Sequence, residues 1–319
     1  MVIPISTTTG VRPDAPAATP LAPAMRALAL ALFLTGCAAS APATAQPLDL
    51  DDPADAVRAM QKIQCSLEDG EPAVYYFEGD AYSRVPGERD RHLFGYQAFN
   101  VRACQSLPDA EGGYGFRLLS REVLFYQDPR TGETLRTWTN PWTDEEVEVL
   151  HVANDPVNNT FAAAGRRGPF SLGATFADGT GWIQFQVPLF YTNPLGGDYQ
   201  DYVGGAYQAI EMFTFFFDEA DVRSAADDEA EGTTVAWSRM SQWLPWMKMG
   251  SRVGYLVFSG AGKRLEGGYD ALPAAVRDEV AARYPAYTAP PPLDDDRPNA
   301  TSWTVFKEYL DAQRAGDGD

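Results

Sequence analysis

From residue 73 to residue 265 the chain keeps returning to short runs of aromatic and β-branched residues, and no regular helical pattern separates them. "AVYYFEGDAYSRV" (73–85), "YGFRLLSREVLFYQ" (114–127), "WIQFQVPLFY" (182–191), "QAIEMFTFFF" (208–217), "TTVAWSRM" (233–240) and "GYLVFSGAGKRL" (254–265) all have this character. Such residues fit a pleated, half-buried surface, so each run predicts a strand. A doubly wound parallel sheet needs strands and helices in regular alternation, which is absent. The expected class is therefore α+β, mostly β: a large antiparallel sheet or barrel with helices at both ends.

Within the first run, Gly79-Asp80 reads as the turn of a hairpin. "DPRTGE" (128–133) closes the second strand region, and "TLRTWTNPW" (134–142) and "EEVEVLHV" (145–152) supply two further strands. In the latter, Val147, Val149 and His151 fall on one face, opposite Glu146, Glu148 and Leu150. Helices belong to the ends. Asp52 is an N-cap with Pro53 in the first turn, and Ala56, Met60, Ile63 and Leu67 follow at helical spacing. Pro273 opens a second helix carrying Val276, Val280 and Tyr284. After a Pro/Asp-rich connector (289–299), Thr301 or Ser302 caps a last one bearing Trp303, Phe306 and Leu310.

The N-terminal stretch has a different meaning. "ALALALFL" (27–34) follows Met25-Arg26 and is too short to span a bilayer, which is the layout of a secretory signal. Residues 1–24 then form an extension before the true start, 25–45 the signal peptide, and 46–319 one β-rich domain. Two cleavage sites compete: "ATA" (43–45), and "LTGC" (34–37), which resembles a bacterial lipobox with Cys37 lipidated. The expected location is the periplasm or the outer membrane, the latter as a lipoprotein. Cys65 and Cys104 remain in the exported domain. In an oxidising compartment they are expected to pair, the other reading being two separate buried thiols. A bridge closes a loop of about 40 residues and stabilises by about 2–4 kcal/mol. The formal charge of −19 argues against nucleic acid and against anionic lipid, leaving a lipid anchor as the only membrane contact.

No phosphate-binding loop, dinucleotide fingerprint, zincin motif or Gly-x-Ser-x-Gly elbow occurs, so neither a cofactor nor a metal is expected. "DEADVRSAADDEAEG" (218–232) lacks the ligand spacing of a calcium loop and reads as a solvated loop. His151 is the natural acid/base group, since its unperturbed pKa lies near neutrality. Asp155 or Glu122 is placed to orient it, and Asn154 offers an amide. Arg121-Glu122 stands as a charged pair in an otherwise apolar strand. Trp138 and Trp142 flank Asn140-Pro141, and Trp243 and Trp246 sit with Lys248 in "WLPWMKMG". Indoles in these positions either pack the core or line a site for an aromatic ligand. Arg121, Trp138, Asn140, Trp142, Asn154, Trp243, Trp246 and Lys248 are the candidate ligand contacts. The glycine pairs of "NPLGGDYQDYVGGAY" (193–207) suit a mobile flap or a plain surface loop.

The stretch "REVLFYQDPRTGETLRTWTNPWTDEEVEVLHVANDPVNN" resembles the bacterial DUF1838 family, as do "WLPWMKMG", "GGYDALPAAVRDEVAARYPAYTAPPPLDDDRPNATSW" and "FKEYL". The resemblance spans about residues 55 to 310. It implies one long domain in an envelope setting and brings no catalytic assignments. The first functional expectation is a protein that binds a hydrophobic or aromatic small molecule in a Trp/Tyr-lined cavity. The alternative is a cofactor-independent acid/base enzyme, an isomerase or lyase, using His151 with a nearby carboxylate. A structural envelope lipoprotein is the third, and it requires no cavity.

Overall fold

The computed structural model describes residues 46–166, 168–195 and 205–316, so Cys37, the expected signal peptide and most of the expected flap lie outside the described residues. One antiparallel sheet of ten strands organises the chain. Its strands are β1 (Ala73–Arg84), β2 (His92–Leu107), β3 (Gly115–Gln127), β6 (Val152–Asn154), β7 (Asn159–Ala162), β10 (Thr175–Ala177), β11 (Thr180–Thr192), β12 (Ala206–Asp218), β13 (Thr234–Ser241) and β14 (Tyr255–Arg264). The spatial order is β10-β11-β12-β13-β14-β1-β2-β3-β6, with β7 also on β3, and the sheet stays open rather than closing into a barrel. The chain meanders from strand to neighbouring strand, and β14 comes back to pair with β1 at the middle of the sheet. Two small ladders lie apart from it, β4 (Thr137–Thr139) with β5 (Glu146–Glu148), and β8 (Ala164–Gly165) with β9 (Gly168–Pro169).

The structure corrects the first hairpin. β1 runs unbroken through Gly79 and Asp80, and Gly79 pairs with Tyr96 on one side and Gly260 on the other. A Cβ on Gly79 would lie 2.6 Å from the Tyr96 hydroxyl, and one on Gly260 only 2.0 Å from it. The glycine therefore makes room for a side chain crossing the sheet, a use of strand glycine that sequence alone confuses with a turn.

Alternation along the strands builds two cores. Tyr75 and Phe77 of β1, Phe94 and Tyr96 of β2, and Phe116 and Tyr126 of β3 face the larger one, with α1 (Pro53–Gln64) and the last helix packed into it. Val74, Phe99, Val101, Val123 and Phe125 face the other way, against Val276 and Val280 of the helix Ala274–Arg283 and against Tyr287. In the last helix, Ser302–Gly316, Trp303 and Phe306 are buried.

Asp52 caps α1 by accepting from the amides of Ala54 and Asp55 at 2.9 and 3.1 Å. The helix ends at Gln64, so Leu67 falls beyond it, and a Cys65–Cys104 disulfide ties that end to β2. The acidic segment is more ordered than a solvated loop. Glu219–Arg223 forms a short helix, and the buried Lys62 ammonium donates to the carbonyls of Asp221 and Ser224. The strand expected over 145–152 is broken: Glu146–Glu148 pairs with β4 and Val152 begins β6 on β3, yet Val147, Val149 and His151 are all buried as the alternation requires. Among the described residues no helix is long and apolar enough to cross a membrane.

Candidate functional site

On the larger core's side of the sheet, side chains of β1, β2, β3, β6, β12 and β13 surround a cavity of about 100 Å³. One part of its wall is aromatic, from Phe77, Tyr96, Phe213 and Trp237. The other is polar, from Asn100, Glu122, Asn154, Glu211 and Arg239. Strand parity delivers these groups. Glu122 shares its face with Leu124 and Tyr126, and is paired across the sheet with Asn100 on one side and Asn154 on the other. Glu211 shares the face of Phe213 and Phe215, and lies directly opposite Arg239. That pair closes at 2.7 Å, and Arg239 also donates to the Tyr207 hydroxyl.

A charge brought into an apolar setting is costly unless it is paired. Arg239 and Glu211 satisfy one another. Arg102, behind the wall, donates to Asn100 and to Gln64 and lies over the Tyr75 ring at 4.5 Å. Glu122 is different, because no ion pair holds it among the described residues. Burial first, and then the negative charge of Glu211, push its carboxyl from 4.5 up to about 7, while Arg102, the Asn154 amide and Arg239 pull the other way. Two buried polar atoms of the wall, the Tyr96 hydroxyl and Asn154 Oδ1, have no hydrogen-bond partner among the described residues. Unsatisfied buried atoms cost about 1–3 kcal/mol each, so their presence at a cavity points to a ligand-facing role.

His151 occupies a separate place. Its Nδ1 accepts from the Tyr126 backbone amide at 3.2 Å, so the ring proton sits on Nε2, which has no partner among the described residues. The void beside it, shared with Trp246 and Phe306, measures about 10 Å³, the room of one water at most. Burial lowers its pKa from 6.5 to about 4. It packs edge-on against Phe125 at 5.4 Å. It forms no hydrogen bond to a carboxylate among the described residues.

Asp155 instead pairs with Arg121 at 3.0 Å and with Arg297 at 2.7 Å. Arg121 and Glu122, expected as a pair, diverge. As neighbours on a strand they point to opposite faces, and Arg121 donates outward to the carbonyls of Ala286, Ala289 and Pro290.

The four tryptophans singled out in sequence pack elsewhere. Trp138 and Trp246 meet edge-on at 5.9 Å and both cover Phe94. Trp142 lies on Trp243 at 5.5 Å, and the Arg91 guanidinium lies over the Trp142 ring at 4.9 Å. Asn140 is fully buried, donating to the Met247 carbonyl and accepting from the Trp142 amide. Lys248 pairs with Glu145 at 2.6 Å.

Of the residues expected at a site, Glu122 and Asn154 line the larger cavity. Tyr96, Glu211, Trp237 and Arg239 were missed. For two of them a signal exists: Glu211 and Arg239 carry charge on the apolar parity of "QAIEMFTFFF" and "TTVAWSRM", where a charge has to be explained.

Among known families, a model described as "Protein of unknown function (DUF1838)" matches residues 70–310. That span includes every residue of the cavity wall and Cys104, while α1 and Cys65 precede it. No match was found among curated proteins.

Proposed function

The chain belongs to the DUF1838 family, and from that premise we propose that it is an exported envelope protein binding a small hydrophobic or aromatic molecule in the cavity beneath Tyr96 and Trp237. The carrying observation is the pair of unpartnered polar atoms, Tyr96 Oη and Asn154 Oδ1, in the wall of a cavity that is aromatic on one side and polar on the other. Four rings supply non-directional contact, and a few polar groups fix orientation, which is the usual make-up of a small-molecule site. A volume of about 100 Å³ suits a group near the size of one ring. An export setting agrees with the Cys65–Cys104 bridge and with the signal-like residues 25–45. Periplasm is the proposed compartment, with outer-membrane attachment if Cys37 is lipidated. Cys37→Ala should then release the protein from the membrane fraction.

Native mass spectrometry of protein purified from its host tests the binding. A small molecule should accompany the wild type and be lost from Ala98→Leu, which fills the cavity from β2. Equal retention by a folded Ala98→Leu would move the ligand elsewhere.

One observation favours a second reading, an acid/base isomerase or lyase without a cofactor. Glu122, held near neutrality, is suited to exchange a proton with a bound molecule. In that case Glu122, rather than His151, is the group facing the substrate. Glu122→Gln would abolish turnover while binding persists.

A further inference from the structure

We infer that the molecule bound in this cavity is a small organic amine in its ammonium form, seated with its N–H donors on Glu122 and Asn154 and its carbon skeleton among Phe77, Tyr96, Phe213 and Trp237. The inference rests on the binding reading above and adds the chemical class. It follows from what the wall has left to offer. Of the three charged side chains in the wall, Arg239 is committed to Glu211 and to the Tyr207 hydroxyl. Asn100 Oδ1 is committed to Arg102. The groups with capacity remaining at the polar end are a carboxyl without an ion-pair partner among the described residues and the orphaned acceptor Asn154 Oδ1, while the unpartnered Tyr96 hydroxyl, among the rings, can accept or donate. The ionised Glu122 carboxylate and Asn154 Oδ1 both accept, so a ligand seated between them brings donors.

Charge points the same way. An anion placed here would face two carboxylates and find the wall's one guanidinium already engaged. A cation meets an unpaired carboxylate beside four aromatic rings, and aromatic rings together with a negative charge make up the usual surroundings of a bound ammonium group. The whole chain, at −19, draws cations toward it and slows anions.

A consequence follows for protons. In the free protein Glu122 is partly protonated near neutrality, under the influence of Glu211 from β12, Arg239 from β13 and Arg102 from β2. A bound ammonium favours its ionised form, so uptake of the amine near pH 7 releases protons, and uptake of an isosteric neutral molecule does not.

The test uses three probes on one skeleton, benzylamine, benzyl alcohol and benzoate, titrated into the disulfide-intact protein at pH 8. Binding is read from the Trp237 indole N–H resonance, assigned with Trp237→Phe. Benzylamine should bind about tenfold or more tightly than either other probe. Glu122→Gln should erase that preference, and Asn154→Leu, a second variant in case the first does not fold, should reduce it. Equal or tighter binding of the alcohol or benzoate at Trp237 overturns the amine class and leaves the binding reading standing. No response of Trp237 to any probe also overturns the amine class; the binding reading is then judged by the co-purified molecule and Ala98→Leu.

Discussion

Tyr96 and Trp237 meet edge to face, ring centres 5.7 Å apart, although two strands separate them. They reach each other because the residues between them in the same cross-strand row are Gly79 and Gly260. That contact forms part of the aromatic wall of the cavity. Any side chain at Gly260 would strike the Tyr96 hydroxyl. Gly260→Ala should therefore destabilise the fold by about 1–3 kcal/mol. Since the Glu78 carbonyl is also close, Tyr96→Phe should relieve only part of the cost. Urea melts of both single variants and the double should show this coupling; strictly additive losses would mean that the hydroxyl is not what the glycine accommodates.

Glu122 and His151 should give stability opposite dependences on pH. Glu122 has its pKa raised on folding, so its contribution is fully present below pH 4.5 and is lost as pH rises through about 7. The pKa of His151 is lowered, so its contribution is present above pH 6.5 and is lost as pH falls through about 4. Each shift corresponds to about 3 kcal/mol at its limit. Relative to wild type, Glu122→Gln should gain stability between pH 5 and 8, and His151→Gln should lose less on acidification. Parallel pH profiles for wild type and variant would remove that residue from the account.

Much of the architecture can be read from the sequence, because period-2 burial is a local signal. The strands at 182–191, 208–217 and 233–240, the Asp52 cap and the stripe Trp303–Phe306 all follow from neighbouring residues. The cavity cannot be read this way. Tyr96, Gly79, Gly260 and Trp237 lie on four strands, brought into one row by a register that only the assembled sheet defines. Gly79-Asp80 shows the difficulty: locally it is a turn signal, and only its two strand neighbours reveal a close approach. Tryptophans drew attention to "WLPWMKMG", where large apolar faces are satisfied by packing on Phe94 and Trp142. The unexplained charges on apolar faces, Glu122, Glu211 and Arg239, were the more informative residues.

The Cys65–Cys104 bridge joins positions 39 apart, fastening α1 to β2. Replacing both cysteines with alanine should lower stability by about 2–4 kcal/mol, and added reductant should do the same to wild type alone. Melting curves with and without reductant check this. Identical curves for wild type and the double variant would show that the bridge does not form.

Trp246 is 4% exposed and packs on Phe94, Tyr126 and Trp138. Trp246→Ala should cost the fold about 3–5 kcal/mol. The milder Trp246→Phe should leave binding at the larger cavity unchanged. Loss of the co-purified molecule from well-folded Trp246→Phe would return that tryptophan to the site.

The most direct measurement is a crystal structure of the protein purified from its host without denaturation. Continuous density for an organic molecule is expected beneath Trp237, with a polar end within hydrogen-bond distance of Glu122 and Asn154. Density for a ligand at another place, with only separate water-sized peaks in this cavity, would contradict the proposed site.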